Sequence, residues 1–330
     1  MLNIHCDGQR ISIGERFSVS FQRTLRIPDD GKVYPLPPGL GAFPVLAVKD
    51  YPNAPKSWQK LGGYFIPMYQ REALWLGFDA AHWKPSAVQI GIGGINAVTG
   101  KAFKERLSNR PQNYLVCPDQ PWLDGINVGE GVIRQFVAMR LGGGYTVEAQ
   151  IAGREELGGI QIRVYEPKPG RFPDKPPPEP EHFGERAFAM AEASGSMGLG
   201  AGGQMEQKIY PDSYGLDTWD TGNFGSVHIH ILNSQQYRAV TGLEAPPSPI
   251  SAQTYTQYGF PWFELYDENL PTLAGTRKLK RIKSVREVEK RKGLKPREEE
   301  EVEVKEEQIK KLKHGRKAGG GKREGRKSGA

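Results

Sequence analysis

The chain has 330 residues, 37% hydrophobic and 10% aromatic, enough apolar material for one large core or two smaller ones. No run approaches the roughly 18 apolar residues of a membrane helix, and the N-terminal MLNIHCDGQR lacks a signal peptide's apolar stretch, so an intracellular protein without a membrane span is expected. Of 45 Lys and Arg and 38 Asp and Glu, 21 and 10 fall in residues 276–330, leaving 24 and 28, a net of −4, for residues 1–275; any affinity for nucleic acid therefore belongs to the tail.

With 41 glycines and 26 prolines, short strands joined by turns are favoured over long helices. The expected fold is mainly β: two β-rich, sandwich-like modules over residues 1–166 and 186–275, joined by a Pro-rich strap at 167–185 and followed by a charged, partly helical tail at 276–330. In the first module RFSVSF places Phe17, Val19 and Phe21 on one face, and AVQIGIG does the same with Val88, Ile90 and Ile92. LPPGLGAFP reads as an ordered loop or sheet edge, because proline cannot pair inside a sheet. YTVEAQIAG and GGIQIRVYE read as a hairpin around GREELGG, with Ile160, Ile162 and Val164 facing a core. The strap EPKPGRFPDKPPPEPEHFGE carries seven prolines, and GERAFAMAEASGSMG after it suits a helix through Ala193. The glycine run SGSMGLGAGG, Ser194 to Gly203, reads as a turned loop, since neither a P-loop nor a strand-to-helix frame surrounds it. VQIGIGGINAVTG and VHIHILNSQQYRAVTG both run from an alternating strand into AVTG, a faint echo of duplication.

In the tail, KLKRIKSVREVEKRKG and PREEEEVEVKEEQIKKLKHG are charged with sparse apolar positions. The second opens on proline, carries acids first and bases last, and stops at Gly315, the pattern of a solvated helix. RKAGGGKREGRKSGA beyond it is expected to be disordered, and its cations Arg316, Lys317, Lys322, Arg323, Arg326 and Lys327 are the candidates for nonspecific contact with nucleic acid or an acidic partner. Such a tail also fits nuclear localisation in a eukaryotic source; otherwise the cytoplasm is expected.

Two constellations are candidates for chemistry. In SVHIHILNS, His228 and His230 share one strand face, so two imidazoles with a third ligand would suit zinc or iron. Val227, Ile229 and Ile231 form the apolar face, which puts the histidines on the wetter side of a half-buried strand. CPDQPWLDG offers Asp119 and Asp124, and FPWFELYDE offers Glu264, Asp267 and Glu268, while YGLDTWDTGN adds Asp217 and Asp220. Paired carboxylates beside aromatic rings are what sugar cleavage or sugar binding requires, and equally what turns and core edges look like. No GxSxG occurs, and Cys6 and Cys117 sit in no metal-ligand or nucleophile motif.

RTLRIPDDG, YPLPPGLGAFP, PMYQREALW, DQPWLDGI and GFPWFELYDE together resemble an uncharacterised family of microbial and fungal proteins, some loosely labelled integral membrane proteins. The resemblance spans roughly residues 16–268 and implies no activity, cofactor or site. Its membrane label conflicts with a chain that has no segment able to span a bilayer. The leading functional expectation is a non-enzymatic structural or interaction protein that self-associates. The alternatives are a metal-dependent or carbohydrate-active enzyme using the histidines or the carboxylates, and nonspecific nucleic-acid binding through the tail.

Overall fold

The computed structural model describes residues 1–104, 106–175, 196–265, 270–294 and 302–312. Within them the protein is mainly β, as its composition and alternation imply. Seventeen strands among the described residues belong to one largely antiparallel sheet, and two more form a small parallel pair. No helix among these residues is long and apolar enough to cross a membrane.

The sheet runs through β1 (Arg10–Ile13), β2 (Phe17–Thr24), β3 (Tyr64–Met68), β4 (Ala73–Ala80), β5 (Ser86–Ile92), β6 (Trp122–Leu123), β7 (Val132–Arg140), β8 (Ile160–Pro167), β9 (Ser196–Glu206) and β10 (Trp219–Asn233). The alternating runs lie where their period places them. Phe17, Val19 and Phe21 of β2 are buried, as are Ile160, Ile162 and Val164 of β8. β5 is buried at every residue, so its polar Gln89 lies inside and accepts a hydrogen bond from the Tyr165 hydroxyl.

The two expected modules share this sheet. β9 pairs with β7; β8 pairs along most of its length with β10, which also pairs with β3 in parallel. One apolar cluster draws on Ile11 and Leu74 as well as Leu199 and Ile231. The strap is described only to residue 175. There Lys168 and Arg171 both reach Asp217, and Lys84 meets Asp174, so this part is tied to the body by ion pairs. The helix expected near Ala193 lies outside the described residues.

Three local expectations are corrected. The first half of the hairpin is a helix, α2 (Val147–Ala152), the chain's earlier helix α1 being Lys56–Leu61. The Thr146 hydroxyl accepts from the Ala149 N–H, and Gly153 ends the helix at φ 71°. The glycine run is strand β9, not a loop. A Cβ on Gly202 would come within 2.6 Å of Val137 Cγ2, and one on Gly203 within 2.2 Å of the Pro28 carbonyl oxygen. Glycine there admits close backbone approach inside a sheet. The AVTG echo does not carry over into structure: residues 97–100 form a turn, whereas 239–241 end the helix Tyr237–Thr241.

The start of the tail is packed. α3 (Arg277–Lys280), α4 (Val285–Arg291) and the link between them bury Leu279, Ile282, Val285 and Val288, which recur every three residues. Ser284 and Glu287 close a capping box at the head of α4. The segment expected to continue as a solvated helix instead buries Val302 and pairs β12 (Ile309–Leu312) in parallel with β11 (Trp262–Leu265). Val302 is buried and Glu303 exposed ahead of a short turn at Glu306–Gln308, and the strand itself is the later IKKL, so burial and pairing with β11 prevail over the helix-like charge order.

Candidate functional site

The strongest site lies on the solvent side of β4. Leu74, Leu76 and Phe78 point into the core, so Trp75 and Gly77 between them face out. Across the ladder Trp122 of β6 stands opposite Gly77, which makes the two tryptophans diagonal neighbours on one face. Gly77 and Gly39 seat the first indole: a Cβ on either would come within 3.1 Å or 3.3 Å of the Trp75 ring. The opposite wall is the expected proline edge. Thr24 donates to the Pro38 carbonyl at 2.8 Å, and Leu36 and Phe263 exchange backbone hydrogen bonds at 2.8 and 3.0 Å. Between these walls lies a trough of about 250 Å³ lined by Leu36, Pro37, Pro38, Gly39, Trp75, Trp122, Phe263 and Asp124.

Asp124 is the one charged lining residue and is 4% exposed. Its carboxylate accepts from Gln207 Nε2, while its backbone N–H donates to Gln207 Oε1 at 3.0 Å. The Trp122 side chain donates to the same carboxylate. Burial pushes the Asp124 carboxyl up to about 7, although both of these hydrogen bonds favour the ionised form.

The other sequence candidates do not join it. Asp119 sits half-buried in the turn before Gln120, where burial first and its charge second push the Cys117 thiol up. Glu264 lines a neighbouring polar cavity of about 460 Å³ with Glu130, Glu206, Lys208 and Tyr210, and lies 3.8 Å from Lys311. Leu36 and Phe263 line both spaces. Asp217 is taken up by Lys168 and Arg171, and Asp220 accepts from the Gly222 N–H. Asp267 and Glu268 lie outside the described residues, as do Arg316, Lys317, Lys322, Arg323, Arg326 and Lys327.

The histidine pair shares a face of β10 as its spacing requires; that face is the less buried of the two, with Ser226 exposed and His228 half-buried, but it is covered from His230 onward. His230 is 3% exposed beneath Trp58 of α1, with ring centroids 4.4 Å apart and planes 12° from parallel, and the His228 ring lies behind it at 4.2 Å, tilted by 33°. His230 Nε2 donates to the Gly62 carbonyl at 3.0 Å. Gln161 Oε1 accepts from the Gly94 N–H, which turns its Nε2 toward His228 Nδ1 at 3.4 Å and leaves the His228 proton on Nε2. That Nε2 is buried without a partner, against Gly159. Burial lowers both imidazoles, His228 to about 3 with a further contribution from His230, and His230 to about 4. Among the described residues no group of three or more His, Cys, Asp or Glu gathers around them, so zinc or iron finds no third ligand there. Leu232, the next residue on the same face, is fully buried, and it is the sequence signal that this face is covered.

Trp75 is the residue that sequence reasoning passed over. Its signal is a large aromatic at a solvent-side strand position beside a glycine two residues on. Compared with protein-family models, curated proteins and solved structures, the chain has no match that would lend it a fold name or a function.

Proposed function

We propose that this is a non-enzymatic interaction protein that recognises a ligand in the Trp75–Trp122 trough. The observation that carries this reading is a pair of indoles held on the solvent side of a sheet by fixed supports: glycine seats for Trp75, and the Asp124–Gln207 network for Trp122. Mostly apolar concavity with few, fixed polar groups is the usual chemistry of a binding site. Cleavage of a glycosidic bond by the usual route uses two carboxyl groups facing one bond, and a single carboxyl lines this trough.

The test is a titration followed through indole N–H resonances, with soluble oligosaccharides, proline-rich peptides and alkylammonium salts as ligands. At least one class should shift the Trp75 and Trp122 signals saturably and leave Trp219 in place. Trp75→Ala should abolish that binding in a protein that still folds. Ligands that bind equally well to Trp75→Ala would overturn the assignment of the site.

A further inference from the structure

We propose that the trough takes a compact organic cation with apolar substituents, a quaternary or methylated ammonium group, between Trp75 and Trp122 with the Asp124 carboxylate as its counter-charge. This deepens the binding reading above and depends on it.

The buried carboxyl groups of the described residues make the case. Glu72 is paired with Arg23, and Glu289 with Arg71. Glu148 accepts from three backbone N–H groups, those of Glu156, Leu157 and Gly158. Each is satisfied within the chain, by a cation or by a fan of main-chain donors. Asp124 differs: it has two neutral side-chain donors, Gln207 and Trp122, and no cation among the described residues. It is also the one of the four that lines the aromatic trough. A buried carboxylate without a counter-charge, walled by aromatic rings, lacks a positive charge that a ligand can bring.

The walls select which cation. Indole faces attract cations more strongly than other aromatic rings do, and an alkylated ammonium exposes apolar groups to match Leu36, Pro37, Pro38 and Phe263. A primary ammonium is strongly hydrated and gains less from so apolar a wall. A sugar ring suits the indoles but carries several hydroxyl groups, and the lining offers them one carboxyl that already has two donors. An anion is repelled by Asp124. At about 250 Å³ the space is below the roughly 300–1,000 Å³ of a drug-sized pocket, which fits a compact head group. Because burial holds the free carboxyl near 7, a cation that favours its ionised form binds more tightly as pH rises through 7.

Tetramethylammonium is the probe, with tert-butanol as its neutral counterpart, titrated into the full chain while the indole N–H resonances are followed at pH 6 and pH 8. The expected result is saturable binding of tetramethylammonium that shifts Trp75 and Trp122, is tighter at pH 8, and is at least about tenfold stronger than that of tert-butanol. Asp124→Asn, checked for folding by circular dichroism, should weaken it by a similar factor; the neutral counterpart makes the same test without any substitution. Equal binding of the two probes, or no tetramethylammonium binding at pH 8, overturns the inference. If an oligosaccharide or peptide moves Trp75 and Trp122 while tetramethylammonium does not, the cation is wrong and the trough remains a binding site. If no ligand moves them, both readings fall.

Discussion

Around β10 a tryptophan and two histidines stack into a closed column; around β4 two tryptophans and an aspartate line an open trough. The ingredients are alike, an indole beside a titratable group, and both groups are largely desolvated. In the column, ring faces cover one another, and His230 Nε2 and His228 Nδ1 are engaged by Gly62 and Gln161. In the trough, glycine seats and a glutamine hold the walls in place and nothing in the described chain fills the space between them. Aromatic content alone therefore does not mark a binding site. Whether the chain uses the ring faces for its own packing does.

Removing one indole from each place should separate the column from the trough. Trp58→Ala should cost about 3–5 kcal/mol, as large-to-small changes in a core do, read as a lower urea midpoint at unchanged slope. A midpoint within experimental error of wild type would show that the column does not hold the fold. Acid probes the same column. The folded chain keeps both histidines neutral while the unfolded chain takes up protons near pH 6.5, so stability should fall as pH drops from about 6.5 towards 4. Each group contributes up to about 1.4 kcal/mol per pH unit over that window, and changing both histidines to glutamine should flatten the slope. An unchanged slope in the double variant would place the acid sensitivity elsewhere.

The trough should respond with the opposite sign. Asp124 holds its proton in the folded chain up to about pH 7, whereas the unfolded chain releases it near 3.8, so this group's contribution makes stability decline as pH rises from about 4 to 7. Asp124→Asn should remove that decline and stabilise the protein at pH 8 by about 2 kcal/mol, measured by denaturant unfolding at both pH values. Destabilisation at pH 8 would mean that the carboxylate is held by more than Gln207 and Trp122. The smallest effect is expected from Trp75→Ala, about 1 kcal/mol or less, because the ring stands on the solvent side of its strand. A loss as large as that of Trp58→Ala would make Trp75 a packing residue and dissolve the contrast.

Strands with side-chain alternation were legible in the sequence, and those without it were not. Phe17, Val19 and Phe21 declare their face, while β9 offers Gly198, Gly200, Gly202 and Gly203, whose pattern is visible only against the neighbours they approach. α2 was hidden because Val147, Ala149 and Ile151 also alternate; Thr146 before them and Gly153 after them were the better signals. In the tail, many charges masked the three-residue recurrence from Leu279 to Val288 and the box of Ser284 and Glu287. Of the trough, the proline loop, Trp122 with Asp124 and the FPWF segment each stood out in the sequence. Their convergence did not, since residues 36, 75, 124 and 263 meet through long-range strand pairing that no local pattern encodes.

That long-range pairing also has a consequence in time. The Tyr34 hydroxyl lies 3.5 Å from the Val302 carbonyl, and the Arg286 N–H and guanidinium reach back to Asp29. A ribosome adding about 5–20 residues per second needs on the order of 13–54 s to travel from the first of these partners to the last. Throughout that interval the segment around Asp29 and Tyr34 waits for partners not yet made, and contacts of such sequence separation are slow to form even on the finished chain. Newly made chains should therefore expose their edges for longer than a protein of local contacts would. For this fold, the vulnerable period is birth, when half-made chains can pair with one another instead of with themselves.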